Sequence, residues 1–384
     1  MRVLHLVPSL EPATGGPSRS VPALCRALHT AGVDVELYAF RRKGTTVTVS
    51  AQDAAFPIRW LTPLPGSRQL PTVSYYRQLL RNIPSFDLVH LHSLWNPTIS
   101  VAAAACRRVG VPYMISPRGM LQEGALRRRR TLKTVYYRLW EHRTLESARA
   151  FHFLTEAEAA DSRSLLNGHT PYFVVPSGTD LGLAKGIQPG AFRARYPFLQ
   201  GKRILLFLGR LHWSKGLELQ AQALARLIKD FPHLVWVLVG PDGGEYHRLF
   251  RRICTMGLRD YVFWTGLLPR AACLEALVAA DVLLLTSRHE AHSMAMNEAL
   301  AVGVPLVITD TVQFDEVGAS GAGYVVRWDA DHLAVAIAEI LNHPKQAHQM
   351  RVAGRRLAAE RLAWPKVAEA MVQEYRGNII CEPC

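Results

Sequence analysis

Short runs of β-branched and other apolar residues alternate with helical patterns along the whole chain, and few architectures accept that alternation. The first series predicts strands at Val3–Val7, Val35–Ala39, Asp87–Leu91, Tyr113–Ile115, Phe151–Leu154 and Phe173–Val175. Helices are expected between them over 18–31, 98–109, 132–148 and 156–166. A second series then starts afresh, with strands at Ile204–Leu208, Val235–Val239, Val262–Trp264, Val282–Thr286 and Leu306–Ile308. Its helices are expected over 216–230, 245–256, 270–279 and 293–302. Strand-helix repetition of this kind builds parallel sheets covered by helices on both faces, which makes the chain α/β and doubly wound, twice over.

The length agrees, because 384 residues are enough for two domains at ~150 residues each. Between the two series, Pro176 to Gly190 is rich in Gly and Pro and has no apolar periodicity, so the boundary is placed near residue 185. The domains are therefore expected over 1–185 and 186–364. Two such sheets are expected to face each other across a cleft, with ligands at the carboxyl ends of the strands. Apolar residues make up 49% and charged residues 20%, which excludes disordered and fibrous classes. No apolar run reaches the ~20 residues that span a bilayer, and the first residues lack a signal-peptide stretch. A cytoplasmic protein is expected. Six cysteines are too sparse for a disulfide framework. Cys25, Cys106, Cys254 and Cys273 are expected as buried thiols, while Cys381 and Cys384 lack the second pair that a zinc site wants.

The formal net charge is +14, which suggests an anionic partner. Residues 1–185 hold 23 basic and 12 acidic side chains, against 22 and 19 in the remainder, so the excess lies in the first half. Part of it is the stretch 127–143, where Arg127 to Arg130, Lys133 and Arg143 mix with Tyr136, Tyr137, Leu139 and Trp140. Three readings stay open there: a solvated salt-bridged face, peripheral docking on anionic lipid, and a site for a phosphorylated acceptor. Nucleic acid is disfavoured, because no recognised binding module accompanies the charge.

The residues that suggest chemistry follow strands. Gly15 and Gly16 lie beyond the first strand and open a helix, where backbone can approach a phosphate closely. An ordinary capped turn explains them equally well. Beyond the first strand of the second series, Arg210 and Lys215 flank a loop that feeds a helix, and a guanidinium and an ammonium so placed can clamp adjacent phosphates. After Val282–Thr286 come Glu290, then Ser293, Met294 and Ala295 at a helix start, then Glu298 among apolar neighbours. One carboxylate on either side of a helix N-terminus suits a sugar, a diphosphate and a nucleoside in a row.

Gly15-Gly16, Gly209-Arg210 to Lys215-Gly216, and Glu290-x7-Glu298 followed by Ala299 to Val307 resemble the retaining glycosyltransferases of family 4. The resemblance spans nearly the whole chain and implies the GT-B fold, with two Rossmann-like domains and a last helix, 365–384, that returns to the first. It implies transfer of a sugar from a nucleotide-sugar, UDP- or GDP-linked, to a hydroxyl, with retention and no essential metal or other cofactor. Arg210 and Lys215 would then bind the diphosphate, Glu290 the sugar hydroxyls and Glu298 the ribose. Amides at Ser293 to Ala295 would approach the phosphates, and Asp242 would lie near the base and donor.

Where many members of that family carry a histidine after the fourth N-terminal strand, this chain has Ser116-Pro117-Arg118-Gly119-Met120. A general-base role is not transferable to Arg118, which instead suits a phosphate or the acceptor. His92 is a candidate for an acceptor or donor-sugar contact, with a core or capping histidine as the alternative. Asp329 and Asp331 imitate a metal motif but begin a helix and read as capping carboxylates. The expected acceptor is a glycan or a lipid-linked molecule in surface polysaccharide assembly, met by a cytoplasmic protein in peripheral contact with the inner face of the cell membrane. Rival readings are a transferase, phosphorylase or synthase acting on a small soluble molecule, and a non-catalytic module that binds nucleotide-sugars or polyanions.

Overall fold

The computed structural model describes residues 1–384 except 42–44, 50–54, 65, 68–69, 128–129, 163–165, 167–169, 289, 291 and 381–384. The chain divides into two compact units, Met1–Gly178 with Trp364–Cys384, and Thr179–Ala363. The division falls within the Pro- and Gly-rich stretch that separates the two series, at its start and not near residue 185.

The first unit holds a seven-stranded parallel sheet of β1 (Arg2–Val7), β2 (Asp34–Phe40), β3 (Ile58–Leu61), β4 (Leu88–His92), β5 (Tyr113–Ser116), β6 (Ala150–Phe153) and β7 (Tyr172–Val174). Their spatial order is β3-β2-β1-β4-β5-β6-β7. The second unit has six, β8 (Arg203–Leu208), β9 (Leu234–Val239), β10 (Val262–Gly266), β11 (Val282–Leu285), β12 (Leu306–Thr309) and β13 (Gly323–Val326), in the order β10-β9-β8-β11-β12-β13. In each sheet the winding direction reverses beside the first strand, at β1/β4 and at β8/β11. Ligands of doubly wound sheets bind outside the carboxyl ends of the strands at that reversal.

Two strands escape the sequence pattern. β3 is a four-residue edge strand, and β13 is opened by Gly323, a weak strand former. Glycine is required there: a Cβ would lie 2.1 Å from the Leu306 carbonyl oxygen of the neighbouring strand. Alternate residues sort to opposite faces. In the first sheet Leu4, Leu6, Val89 and Leu91 pack on one side. Val3, Val7 and Met114 pack on the other, with Leu24 of the helix Pro17–Thr30 and Met371 and Tyr375 of the helix Trp364–Ile380.

The single helix expected over 132–148 is interrupted. A helix Arg130–Tyr136 passes into a π-turn at Tyr137–Glu141 and then a helix His142–Glu146. Leu132, Val135, Leu139 and Trp140 are all more than half exposed along it. Arg128 and Arg129 and the side chain of Arg127 lie outside the described residues, as do Cys381 and Cys384. Cys25, Cys106 and Cys273 are buried free thiols, but Cys254 is exposed, because the helix Tyr246–Thr255 buries Leu249 and Ile253 and turns Cys254 to the other side. Among the described residues no helix is long and apolar enough to cross a membrane.

Candidate active site

The loops that leave β8 and β11, neighbours at the second reversal, are bound to each other at several points. Thr286, at the end of β11, has its buried Oγ1 3.0 Å from the Lys215 carbonyl and 3.1 Å from that of Gly216. It also accepts from Gln220 Nε2 at 2.9 Å, and Gln220 in turn accepts from Trp236 Nε1 at 3.0 Å. The Arg288 amide donates to the Ser214 carbonyl at 2.8 Å. Arg288 lies over the Trp328 ring at 4.9 Å and pairs with Glu218. These bonds bring Lys215 Nζ onto the Glu290 carboxylate, which also accepts from Ser287 Oγ at 2.7 Å.

Arg210 stands exposed on the same loop, its stem against Gly243, where a Cβ would sit 2.7 Å from Arg210 Cγ. Asp242 builds that loop: its Oδ1 accepts from the amides of Gly244, Glu245 and Tyr246 at 2.8, 3.1 and 3.1 Å. Burial is the largest single influence on the Asp242 carboxyl and raises its pKa, but the three amide donors together outweigh it, so the carboxyl titrates below its usual range.

Ser293 caps the helix Met294–Val302, its Oγ accepting from the Met296 amide at 3.4 Å. The amides of Met294 and Ala295 precede the first residue whose amide can reach back four residues within the helix, so they face outward at its positive end. Glu298 is not a solvated face residue. It is 2% exposed and paired at 2.7 Å with Arg270 Nη1, at the start of the helix Arg270–Ala279. Sequence reading missed Arg270 because the pair joins two helices, and its one signal is a basic residue just after the β10 loop. Asp329 caps its helix as expected, accepting from the amides of Asp331 and His332.

At the first reversal, Gly15 has a left-handed φ of +91°, and a Cβ on either Gly15 or Gly16 would meet nothing within 4 Å. That space is open to a ligand. The helix start offers fewer amides than the sequence suggests, however: Ser18 and Arg19 already donate to the carbonyls of Gly15 and Gly16, and Pro17 has no N–H. Backbone strain gathers at the ends of β4 and β5, where Ser93, Trp95 and Arg118 all have positive φ. His92 is fully buried, with Nε2 3.0 Å from His5 Nδ1 and Nδ1 3.3 Å from Arg118 Nη2. Arg118 lies nearer the surface, and its Nη1 donates to Ser20 Oγ at 3.1 Å. Burial lowers the Arg118 pKa to about 10 against the attraction of Glu158, which leaves it charged near neutral pH.

Comparison with known proteins identifies the family and the fold. Residues 15–178 match the glycosyl transferase 4-like domain and residues 190–357 match glycosyl transferases group 1. A D-inositol 3-phosphate glycosyltransferase of Kineococcus radiotolerans is 27% identical over 98% of this chain and 94% of that protein. Among solved structures, Anabaena Alr3699/HepE in complex with UDP and glucose superposes with a TM-score of 0.81 at 16% identity, covering 98% of this chain and all of that one. WaaG, a glycosyltransferase involved in lipopolysaccharide biosynthesis, gives 0.73 at 16% identity, over 98% of this chain and all of that one. Two reversed-winding parallel sheets, a 4-like domain and a group 1 domain together make the chain a member of the family 4-type glycosyltransferases of the GT-B fold.

Proposed function

We propose that this glycosyltransferase takes its sugar from a UDP- or GDP-sugar and passes it, with retention, to a hydroxyl of a glycan or lipid-linked acceptor in surface polysaccharide assembly. The observation that carries the donor half is the convergence of Arg210, Lys215, Glu290 and the start of the Met294–Val302 helix on adjacent strand ends at one winding reversal. Arg210 grips the diphosphate as a fork, and Lys215 adds a point charge. The Met294 and Ala295 amides complete the cradle. Glu290, already held by Lys215 and Ser287, accepts from the sugar hydroxyls, and Glu298, held by Arg270, meets the ribose.

In the transfer, the bond from the anomeric carbon to the diphosphate oxygen breaks and its electron pair leaves on that oxygen. The acceptor oxygen attacks from the same face, and its proton passes to the departing phosphate. Two side-chain cations and a helix N-terminus supply the charge stabilisation, so the step needs no metal. The UDP and glucose named with the Anabaena structure support a uridine donor. A thermal-shift panel of UDP, GDP, ADP and their sugars tests the reading. A ligand at a hundred times its Kd stabilises by about 2.7 kcal/mol, a clear rise in Tm. No shift from any nucleotide at millimolar concentration would sink the donor site.

A membrane-docked acceptor is supported by the helical stretch 130–143, where exposed Leu132, Val135, Leu139 and Trp140 lie among exposed Arg130, Arg138 and Arg143. Apolar and aromatic side chains ringed by arginines suit the interface of an anionic bilayer. Co-sedimentation is expected with phosphatidylglycerol vesicles and not with phosphatidylcholine vesicles, and a Leu139→Glu, Trp140→Glu double variant is expected to lose it. The second reading, a small phosphorylated acceptor, is favoured by the relative from Kineococcus radiotolerans, which is named for inositol 3-phosphate and aligned over 98% of the chain. Binding to neither vesicle would favour that reading.

A further inference from the structure

Five side chains that the transfer above does not use form one unbroken hydrogen-bonded chain in the core of the first unit. His5 on β1, His90 and His92 on β4, His152 on β6 and Tyr375 of the last helix are each at most 2% exposed. The links run from Arg118 Nη2 to His92 Nδ1 (3.3 Å), His92 Nε2 to His5 Nδ1 (3.0 Å) and His5 Nε2 to Tyr375 Oη (3.4 Å). They continue from Tyr375 Oη to His90 Nδ1 (2.7 Å), His90 Nε2 to His152 Nδ1 (3.3 Å) and His152 Nε2 to the Val175 carbonyl (2.8 Å).

The two ends set the direction of every proton. A guanidinium only donates and a carbonyl only accepts. His92 Nδ1 must therefore accept from Arg118, which puts its proton on Nε2 and makes His5 Nδ1 an acceptor. His5 then donates from Nε2 to Tyr375, the tyrosine hydroxyl donates to His90 Nδ1, His90 donates from Nε2 to His152, and His152 donates from Nε2 to Val175. All four imidazoles are thereby neutral and protonated on Nε2. Burial acts in the same sense, with the charge of Arg118 adding to it, and lowers His5 and His152 to about 3. One ring nitrogen from each of His5, His90 and His92 lies within 4.8 Å of the others, as in a metal site. A cation there would need lone pairs that the chain already uses, and would sit beside Arg118.

The consequence lies at the charged end. Arginines are commonly held by carboxylates, which cancel their charge, but Arg118 is held by an imidazole lone pair and the Ser20 hydroxyl. Among the described residues no carboxylate lies within ion-pair distance of it. The nearby Glu158 carboxylate accepts instead from the Gly119 and Leu154 amides, at 2.5 and 2.8 Å. Arg118 Nε is buried and has no hydrogen-bond partner among the described residues.

We infer that the histidine-tyrosine chain is a neutral mount that aims Arg118, charge uncancelled, at a phosphoryl oxyanion of the substrate, so that His5, His90, His92, His152 and Tyr375 are positioning residues. The identification of that phosphoryl group rests on the transferase reading, whereas the mount and its anion do not. The source that the first unit can meet by itself is a phosphate on the acceptor, and UDP, whose diphosphate is assigned to the second unit, is the comparison ligand.

Long-range proton-nitrogen NMR spectra of histidine-labelled protein between pH 5.5 and 8 should show all four rings as non-titrating Nε2–H tautomers. An Nδ1–H tautomer, a titration at any of the four, or one equivalent of co-purified transition metal would overturn the mount. Calorimetric titration of inorganic phosphate into protein whose donor cradle is saturated with UDP, and of UDP alone, tests the anion. Arg118→Gln should abolish phosphate binding, and Tyr375→Phe, which cuts the chain at its middle, should weaken it about tenfold. UDP affinity should stay unchanged in both variants, and a parallel fall in UDP affinity would overturn the acceptor's phosphate as the ligand. No phosphate binding by the wild-type protein at millimolar concentration, or equal binding by Arg118→Gln, would overturn the role of Arg118. If Tyr375→Phe fails to fold, Arg118→Gln on its partly exposed loop still decides. These readouts need no turnover, so a failure here is distinct from a failure of the donor panel.

Discussion

Lys215→Ala and Arg210→Ala are each expected to lower kcat/KM for sugar transfer by about a thousandfold, the upper end of what one lost charge-stabilising donor costs in a preorganised site. Neither variant should unfold the protein. Arg210 is exposed and Lys215 only partly buried. Glu290, released from Lys215, keeps its 2.7 Å bond from Ser287. Melting midpoints are therefore expected to stay within about 3 °C of wild type, the shift that about 1 kcal/mol produces in a domain of this size. The two losses should also differ in kind. Arg210 offers a fork to two phosphate oxygens already in the ground state and holds them more tightly as charge gathers on the leaving group, so its removal raises KM as well as lowering kcat. Lys215 is shared with Glu290 and becomes fully available only when the leaving group gathers charge, so its loss falls mainly on kcat. Steady-state kinetics on the donor that the thermal panel identifies, with circular dichroism melts alongside, make the comparison. Near-normal turnover in both variants would remove them from the chemistry.

The alternation of strand and helix patterns was enough to read two parallel doubly wound sheets, because each central strand is buried on both faces and so is written as an uninterrupted apolar run. The strands that escaped are edge strands without that signature: β3, four residues long, and β13, which begins at a glycine demanded by the backbone of β12. The donor residues were legible because they follow strands directly in the chain. Arg270 was not, since its pairing with Glu298 is a fact of helix packing. The histidine chain was half legible. His5, His90 and His92 share strand parity, and His5 and His90 are register partners on neighbouring strands. What no local pattern reveals is that Tyr375, 285 residues beyond His90, supplies the link that orders the protons. Glu298 shows the converse, a charge whose interruption of an apolar stripe was visible while its 2% exposure was not.

Gly216→Ala is expected to be the most damaging single substitution in the donor loop, though it removes no functional group. Gly216 ends the turn Trp213–Lys215 and starts the helix Leu217–Leu227 with φ at +61° and ψ at 33°. That left-handed conformation costs a non-glycine residue about 1–3 kcal/mol. Here the space is also filled: a Cβ would lie 2.1 Å from the Thr286 carbonyl oxygen and 2.2 Å from the Trp328 ring. Neither neighbour can yield freely. Moving Thr286 disturbs its contacts with the Lys215 and Gly216 carbonyls, and moving Trp328 displaces the ring under Arg288. Overpacking of this kind adds about 1–3 kcal/mol, so urea unfolding should report a loss of roughly 3–5 kcal/mol. Gly244→Ala is the control that separates the two causes, because Gly244 has a φ of +94° in the same unit but nothing within 4 Å of its Cβ position. It should cost only the conformational part, about 1–3 kcal/mol. Whatever Gly216→Ala protein remains folded should also bind UDP more weakly, since the added methyl pushes apart the loops that place Lys215 on Glu290. Equal stability of the two variants, or an unaltered UDP affinity for Gly216→Ala, would show that the contact between the β8 and β11 loops does not set the donor site.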